Sequence, residues 1–258
     1  GMVKYRFILF WIVLFSFFNA YCQKEINNDF KLKSFDGLFK IYNNESDFIK
    51  RKQILNIWIF KAKKEKNISK LMTGYQISAL SYKKKKEKLF YSDSILNLSL
   101  GNEKFNYNTG SAYVLKGEYF YSVRNFNEAL SNFIKARKYA FNKFLKYNVE
   151  AKIGIIKNRI GENEEALVIQ KKNYLFAKKN IKDVNIHAYL NSVYSLSNTF
   201  NSLRVLDSAY YYNDLGLTES LKNKSYRRYH LFLLNQGTTD YLNAYYLRAI
   251  DSLEKTAI

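Results

Sequence analysis

The sequence predicts an all-α chain, a stack of antiparallel helix pairs, and three observations carry that reading. Proline is absent and only 10 of the 258 residues are glycine. Little therefore breaks long helices, whereas a turn-rich all-β chain would draw on both residues. Apolar residues recur at helical spacing. One pattern returns four times: a small residue, eleven others, then alanine. It runs from Gly117 to Ala129, Gly154 to Ala166, Ser197 to Ala209 and Gly237 to Ala249, and the alanines are 37, 43 and 40 residues apart. Two antiparallel helices approach closely only where a small side chain sits at their crossing. The pattern places that residue in the first helix and alanine early in the second, with a turn between them.

Residues 1–22 read as an address rather than as part of the fold. Lys4 and Arg6 precede an apolar stretch at residues 7–18, interrupted only by Ser16. A basic start, a short apolar segment and a small-residue exit describe a secretory signal peptide. The stretch is shorter than the roughly 20 residues a bilayer crossing needs. Ala20 and Cys22 fit the small positions of a cleavage site, which predicts a cut after Cys22. The expected location is the periplasm, and an uncleaved segment would instead anchor the chain at the inner membrane. Cys22 is the single cysteine, so no internal disulfide is possible.

Residues 23–33 read as a short linker, and residues 34–100 as helical hairpins. Ile54, Leu55, Trp58, Ile59 and Ala62 form an apolar stripe at helical spacing, with Trp58 as a core residue. Tyr75, Ala79 and Tyr82, then Leu89, Phe90, Ile95 and Leu98, continue the alternation. The lysines at residues 83–86 fit a polar turn between helices, and Gly101-Asn102 reads as a helix stop. From there four copies follow, at about residues 110–143, 147–180, 190–222 and 230–258. Glu128, Glu164, Glu165 and Asp207 come just after the turns, where negative charge suits a helix N-terminus.

The first copy resembles the tetratricopeptide repeat. Tyr113, Gly117, Phe120, Ala129, Phe133 and Ala136 stand where its signature has Trp, Gly, Tyr, Ala, Phe and Ala, while Lys116 departs at the Leu position. The later copies keep Gly154, Gly161 and Ala166, then Phe200 and Ala209, then Gly237, Ala249 and Leu253. The periods exceed the usual repeat of about 34 residues. The resemblance implies a right-handed α-solenoid over residues 34–258 whose first helices line a concave groove for a peptide or partner protein. It would aim Tyr121, Ser122, Asn158, Arg159, Tyr194, Asn198, Asn201 and Tyr241 into that groove. A leader followed by residues 62–75 (AKKEKNISKLMTGY) and degenerate repeats is similar to the exported sensor regions of Bacteroidota regulators. In that group a transmembrane helix and a DNA-binding or kinase module often follow. This sequence stops at Ile258 without either, which predicts a truncated or partial regulator.

The formal net charge is +20. Such a field suggests nucleic acid, an anionic surface or an acidic partner. The lysines are scattered, which reads as solvated helix faces, and nucleic-acid binding is kept as the second function. His187 and His230 have no cysteine or second histidine at ligand spacing, so no metal is expected. Asp183 stands four residues before His187, which would pair them on one helix face. There is no glycine-rich phosphate loop and no Gly-x-Ser-x-Gly elbow. The expected function is partner binding, with no cofactor and no catalysis.

Overall fold

The computed structural model describes residues 33–81, 85–140 and 142–256. The predicted signal peptide and its cleavage site lie outside them, as do Tyr82, Lys83 and Lys84. The described residues hold helices and no strand, and the helices pack consecutively on their neighbours. Their contacts separate into two units, the first ending at Ser99 and the second beginning at Leu100.

The first unit contains α1 (Phe35–Asn44), α2 (Phe48–Lys64), α3 (Ile68–Ser81) and α4 (Lys85–Ser99). Side-chain caps start the first two. Ser34 Oγ accepts from the Gly37 N–H at 3.1 Å, and Asp47 Oδ1 accepts from Ile49 N–H at 2.7 Å, each satisfying an otherwise orphaned first-turn donor. Lys85 and Lys86 open α4 rather than filling a turn. Trp58 is buried with Phe35, Leu38, Ile54 and Leu55, as the stripe predicts. Its indole Nε1 donates to the Lys70 carbonyl at 2.7 Å, so a large apolar ring is buried with its polar atom satisfied. Gly74 lets α3 press onto that ring, since a Cβ there would stand 2.7 Å from Trp58 Cδ1.

The second unit begins with a 3₁₀ turn (Glu103–Phe105) and continues through eight helices. They are α5 (Asn106–Ser122), α6 (Phe126–Lys138), α7 (Lys143–Arg159), α8 (Asn163–Lys179), α9 (Ile181–Ser202), α10 (Leu206–Lys222), α11 (Tyr226–Leu242) and α12 (Tyr246–Glu254). Besides sequential neighbours, α7 packs on α9 and α9 on α11. The turns between paired helices repeat one geometry. Arg124, Gly161, Arg204 and Ala244 each take a left-handed backbone, with φ of 61°, 89°, 60° and 62°. One residue later an N–H closes back on the helix: Asn125 to Phe120, Glu162 to Lys157, Val205 to Phe200 and Tyr245 to Asp240, at 2.8–3.0 Å. That is a Schellman closure, which satisfies carbonyls the helix end leaves open. Only Gly161 adopts this backbone without steric cost.

The small-residue pattern marks the crossings. A Cβ on Gly117 would stand 2.8 Å from the ring of Phe133, four residues past Ala129, and one on Gly154 would stand 3.0 Å from Gln170 Cγ, four past Ala166. In the third pair Ser197 Oγ donates to the Ala209 carbonyl at 3.0 Å. In the fourth, a Cβ on Gly237 would lie 3.2 Å from the Ala249 carbonyl and 3.1 Å from Leu253. The two helices of each pair therefore meet at the same register.

What fills the crossings differs. Around α5–α7 an apolar cluster fills the space: Val114, Phe133, Val149, Ile153 and Ile156 are buried together with Ala129 and Ala136. Between α9, α10 and α11 four buried polar side chains close a ring. Asn201 Nδ2 donates to Asn235 Oδ1 (3.1 Å), Asn235 Nδ2 to Asn213 Oδ1 (2.9 Å) and Asn213 Nδ2 to Thr239 Oγ1 (3.0 Å). Thr239 Oγ1 lies 3.0 Å from Asn201 Oδ1, and Asn235 Nδ2 also donates to Ser197 Oγ at 2.9 Å. Nearby, buried Asp240 accepts from the Tyr210 hydroxyl at 2.9 Å and from Arg248 Nη2 at 3.1 Å, which ties α10 and α12 to α11.

One local expectation fails. Asn185 has φ 66° and ψ 160° inside α9, so the helix breaks there and restarts with Asn185 Oδ1 accepting from the Ala188 N–H at 3.0 Å. Asp183 and His187 thus do not share a continuous helix face. His187 Nδ1 lies instead 3.5 Å from Ser225 Oγ.

Candidate functional site

The first helices of successive pairs, α7 and α9, lie side by side, and a cleft of about 200 Å³ opens between them. Its walls are Asn148, Ala151 and Ile155 from α7 and Asn191 and Ser195 from α9, with Gln170 of α8 at its base. The small side chains of Ala151 and Ser195 create the space. Asn148 and Asn191 occupy equivalent positions, each six residues before the small residue of its own crossing, Gly154 or Ser197. Both are exposed.

The residues around the cleft are held in place. Asn191 Oδ1 accepts from Arg228 Nε of α11 at 3.1 Å. Gln170 Oε1 accepts from Thr199 Oγ1 at 2.7 Å, inside the core. Lys152 forms a 2.7 Å ion pair with Glu118 of α5. Tyr147 lines the N-terminal end of the cleft and donates its hydroxyl to the Ala188 carbonyl at 3.1 Å. Burial pushes that hydroxyl above the usual tyrosine range, because a phenolate would lose its hydration there. It stays a neutral donor through neutral pH. The cleft thus offers amide and hydroxyl groups on a fixed frame. Its one lining cation, Lys152, is already paired.

The eight residues expected in a groove do not gather here. Tyr121 and Ser122 are exposed at the end of α5, where the Tyr121 ring leans on Phe126 at 5.6 Å. Asn158 and Arg159 end α7; Asn158 is half-buried with its Oδ1 unpartnered, and Arg159 is exposed. Tyr194 packs edge-on against buried Phe232, ring centres 5.6 Å apart, and so belongs to the core between α9 and α11. Asn198 is half-buried on α9, and Tyr241 is exposed beside Tyr246 at 5.8 Å. Asn201 is a clear correction: it is 5% exposed and is a member of the polar ring, so it faces no groove. The expected set lies mostly toward the C-terminal ends of the first helices, whereas the cleft is lined by residues nearer the middle of α7 and α9. Asn148, Ala151, Ile155, Asn191 and Ser195 were missed, although the shared offset of Asn148 and Asn191 from Gly154 and Ser197 was present in the sequence.

Among the described residues no three His, Cys, Asp or Glu side chains gather closely enough to hold a metal ion. No helix of the described residues is long and apolar enough to cross a membrane. No protein-family model matches the chain, and no curated protein matches it.

Proposed function

We propose that this chain is a non-catalytic binding protein whose second unit is a right-handed, tetratricopeptide-like solenoid holding an extended segment of a partner protein across successive first helices. The carrying observation is the equivalent placement of Asn148 and Asn191 on the two walls of one cleft. An asparagine side chain offers both a donor and an acceptor, and a peptide backbone presents both at every residue. Packed helices lie about 8–10 Å apart, and an extended chain advances about 3.3 Å per residue. One asparagine would then meet roughly every third residue of the bound segment. The periplasm, reached through the predicted signal peptide at residues 1–22, is the proposed place of action, with the chain serving as a scaffold or as a sensor region of a larger regulator.

The test is selection of peptides from a random display library on the purified chain, followed by titration of the enriched sequences. The expected result is a set of peptides that bind the chain and lose about tenfold or more in affinity when Asn148 and Asn191 are both replaced by Ala, at roughly 1 kcal/mol per lost hydrogen bond. Enriched peptides that bind the double variant unchanged, or a selection that enriches nothing, contradict the proposal.

A further inference from the structure

A second and larger space lies on the α6 side of α7. It has a volume of about 550 Å³ and is bounded by α6, α7 and the C-terminal half of α8. Four cations converge on it: Arg137 of α6, Lys143 and Lys146 of α7 and Lys172 of α8. Only one acid lines it, Glu150, and that carboxylate already faces Arg137 Nε at 3.5 Å. Lys143, Lys146 and Lys172 have no ion-pair partner among the described residues. Lys143 rests over the Phe144 ring at 4.9 Å, a cation–π contact that leaves its net charge in place.

Like charges collected from three helices repel one another, and nothing in the packing requires all four here. The wall behind them is aromatic. Tyr147 and Phe176 stack with centres 5.1 Å apart and planes at 26°, and an apolar wall strengthens the field felt inside a cleft. A second feature is Asn173, which borders both this space and the cleft between α7 and α9, is only 7% exposed and leaves its Nδ2 without a hydrogen-bond partner. A buried donor left unpaired is costly, and it is the kind of group that a bound acceptor satisfies.

We propose that this cleft binds a small, multiply charged anion bearing phosphoryl or carboxylate groups. The local balance of four cations to one acid calls for about three negative charges, and the volume falls in the range of roughly 300–1,000 Å³ typical of small-ligand sites. An isolated carboxylate would neutralise too little of this charge. Tyr147 and Asn173 border both spaces, but the proposal does not depend on the peptide reading of the cleft between α7 and α9, because its four cations line only the larger space.

The experiment is isothermal titration of the whole chain with pyrophosphate and, separately, with citrate, at an ionic strength of about 0.15 M. Two variants accompany it: Lys146→Gln with Lys172→Gln in the cleft, and Lys63→Gln with Lys64→Gln at the exposed end of α2 as a charge-matched control. All four lysines are exposed, so folding is expected to survive, and circular dichroism checks it. The expected result is saturable binding tighter than about 1 mM for at least one anion. The cleft variant weakens it by about tenfold or more, and the control leaves it unchanged. Binding of pyrophosphate alone assigns a phosphorylated ligand, citrate alone assigns a polycarboxylate, and both together assign recognition by charge. Absence of saturable binding by either anion overturns the proposal, and so does equal binding by the cleft variant.

Discussion

Two crossings in the second unit share a register and differ in what fills them. Where α5 meets α6, Gly117 is covered by the ring of Phe133, and the surrounding core is aliphatic. Where α9 meets α10 and α11, the corresponding positions are Ser197 and Asn213, and a hydrogen-bonded ring with Asn201, Asn235 and Thr239 replaces the apolar plug. Backbone geometry is therefore not dictated by the chemistry of the plug. The requirement is a small residue at the crossing and a side chain four residues past the alanine that completes its own contacts. An apolar ring does so by area, and an amide does so only if every donor and acceptor finds a partner.

That difference can be broken from the polar side first, with the largest expected effect. Asn235→Leu strands groups on Ser197, Asn213 and Asn201 at once, all buried. Urea unfolding should show a loss of about 5 kcal/mol, at roughly 1–3 kcal/mol for each unsatisfied group. Replacing Asn201, Asn213 and Asn235 by Leu together with Thr239→Val should recover most of it, since removing both partners of a hydrogen bond can be nearly neutral. If the fourfold variant is as unstable as the single one, the ring is not the source of the loss.

On the apolar side, Phe133→Ala should cost about 4 kcal/mol through the cavity it leaves. Gly117→Ala alone should cost about 2 kcal/mol by overpacking the ring, and that penalty should vanish in the Phe133→Ala background. Additive losses in the double variant would mean that the two residues do not meet. The smallest expected effect lies in the turns. Arg204→Gly relieves a left-handed backbone on a side-chain-bearing residue and should raise stability by up to about 1 kcal/mol. Gly161→Ala should lower it by a similar amount. Opposite signs in the two turns would separate a true repeat geometry from a coincidence of angles.

The sequence made the apolar half of this comparison readable. Ala129, Phe133 and Ala136 fall at helical spacing behind an acidic first turn, and Gly117 marks the close approach. The polar half was hidden because Asn201, Asn213 and Asn235 each look like surface residues in isolation. They are buried because three helices bring their amides together, and no local pattern encodes that convergence. The break at Asn185 was hidden for a related reason: neither glycine nor proline announces it, so Asp183 and His187 read as one helix face. Likewise only Gly161 among the four paired-helix turns carries a visible signal for a left-handed residue. The candidate cleft was legible in part. Asn148 and Asn191 share an offset from Gly154 and Ser197, whereas the tetratricopeptide resemblance points to the C-terminal ends of those helices.

The central functional claim is that a partner segment lies between α7 and α9. A photo-crosslinking amino acid placed singly at Ile155, in the cleft, and at Leu175, exposed on α8 and outside it, tests this most directly. With a peptide selected on the chain, adducts are expected at position 155 and not at 175. Adducts at 175 with none at 155 would place the partner on another face and contradict the account.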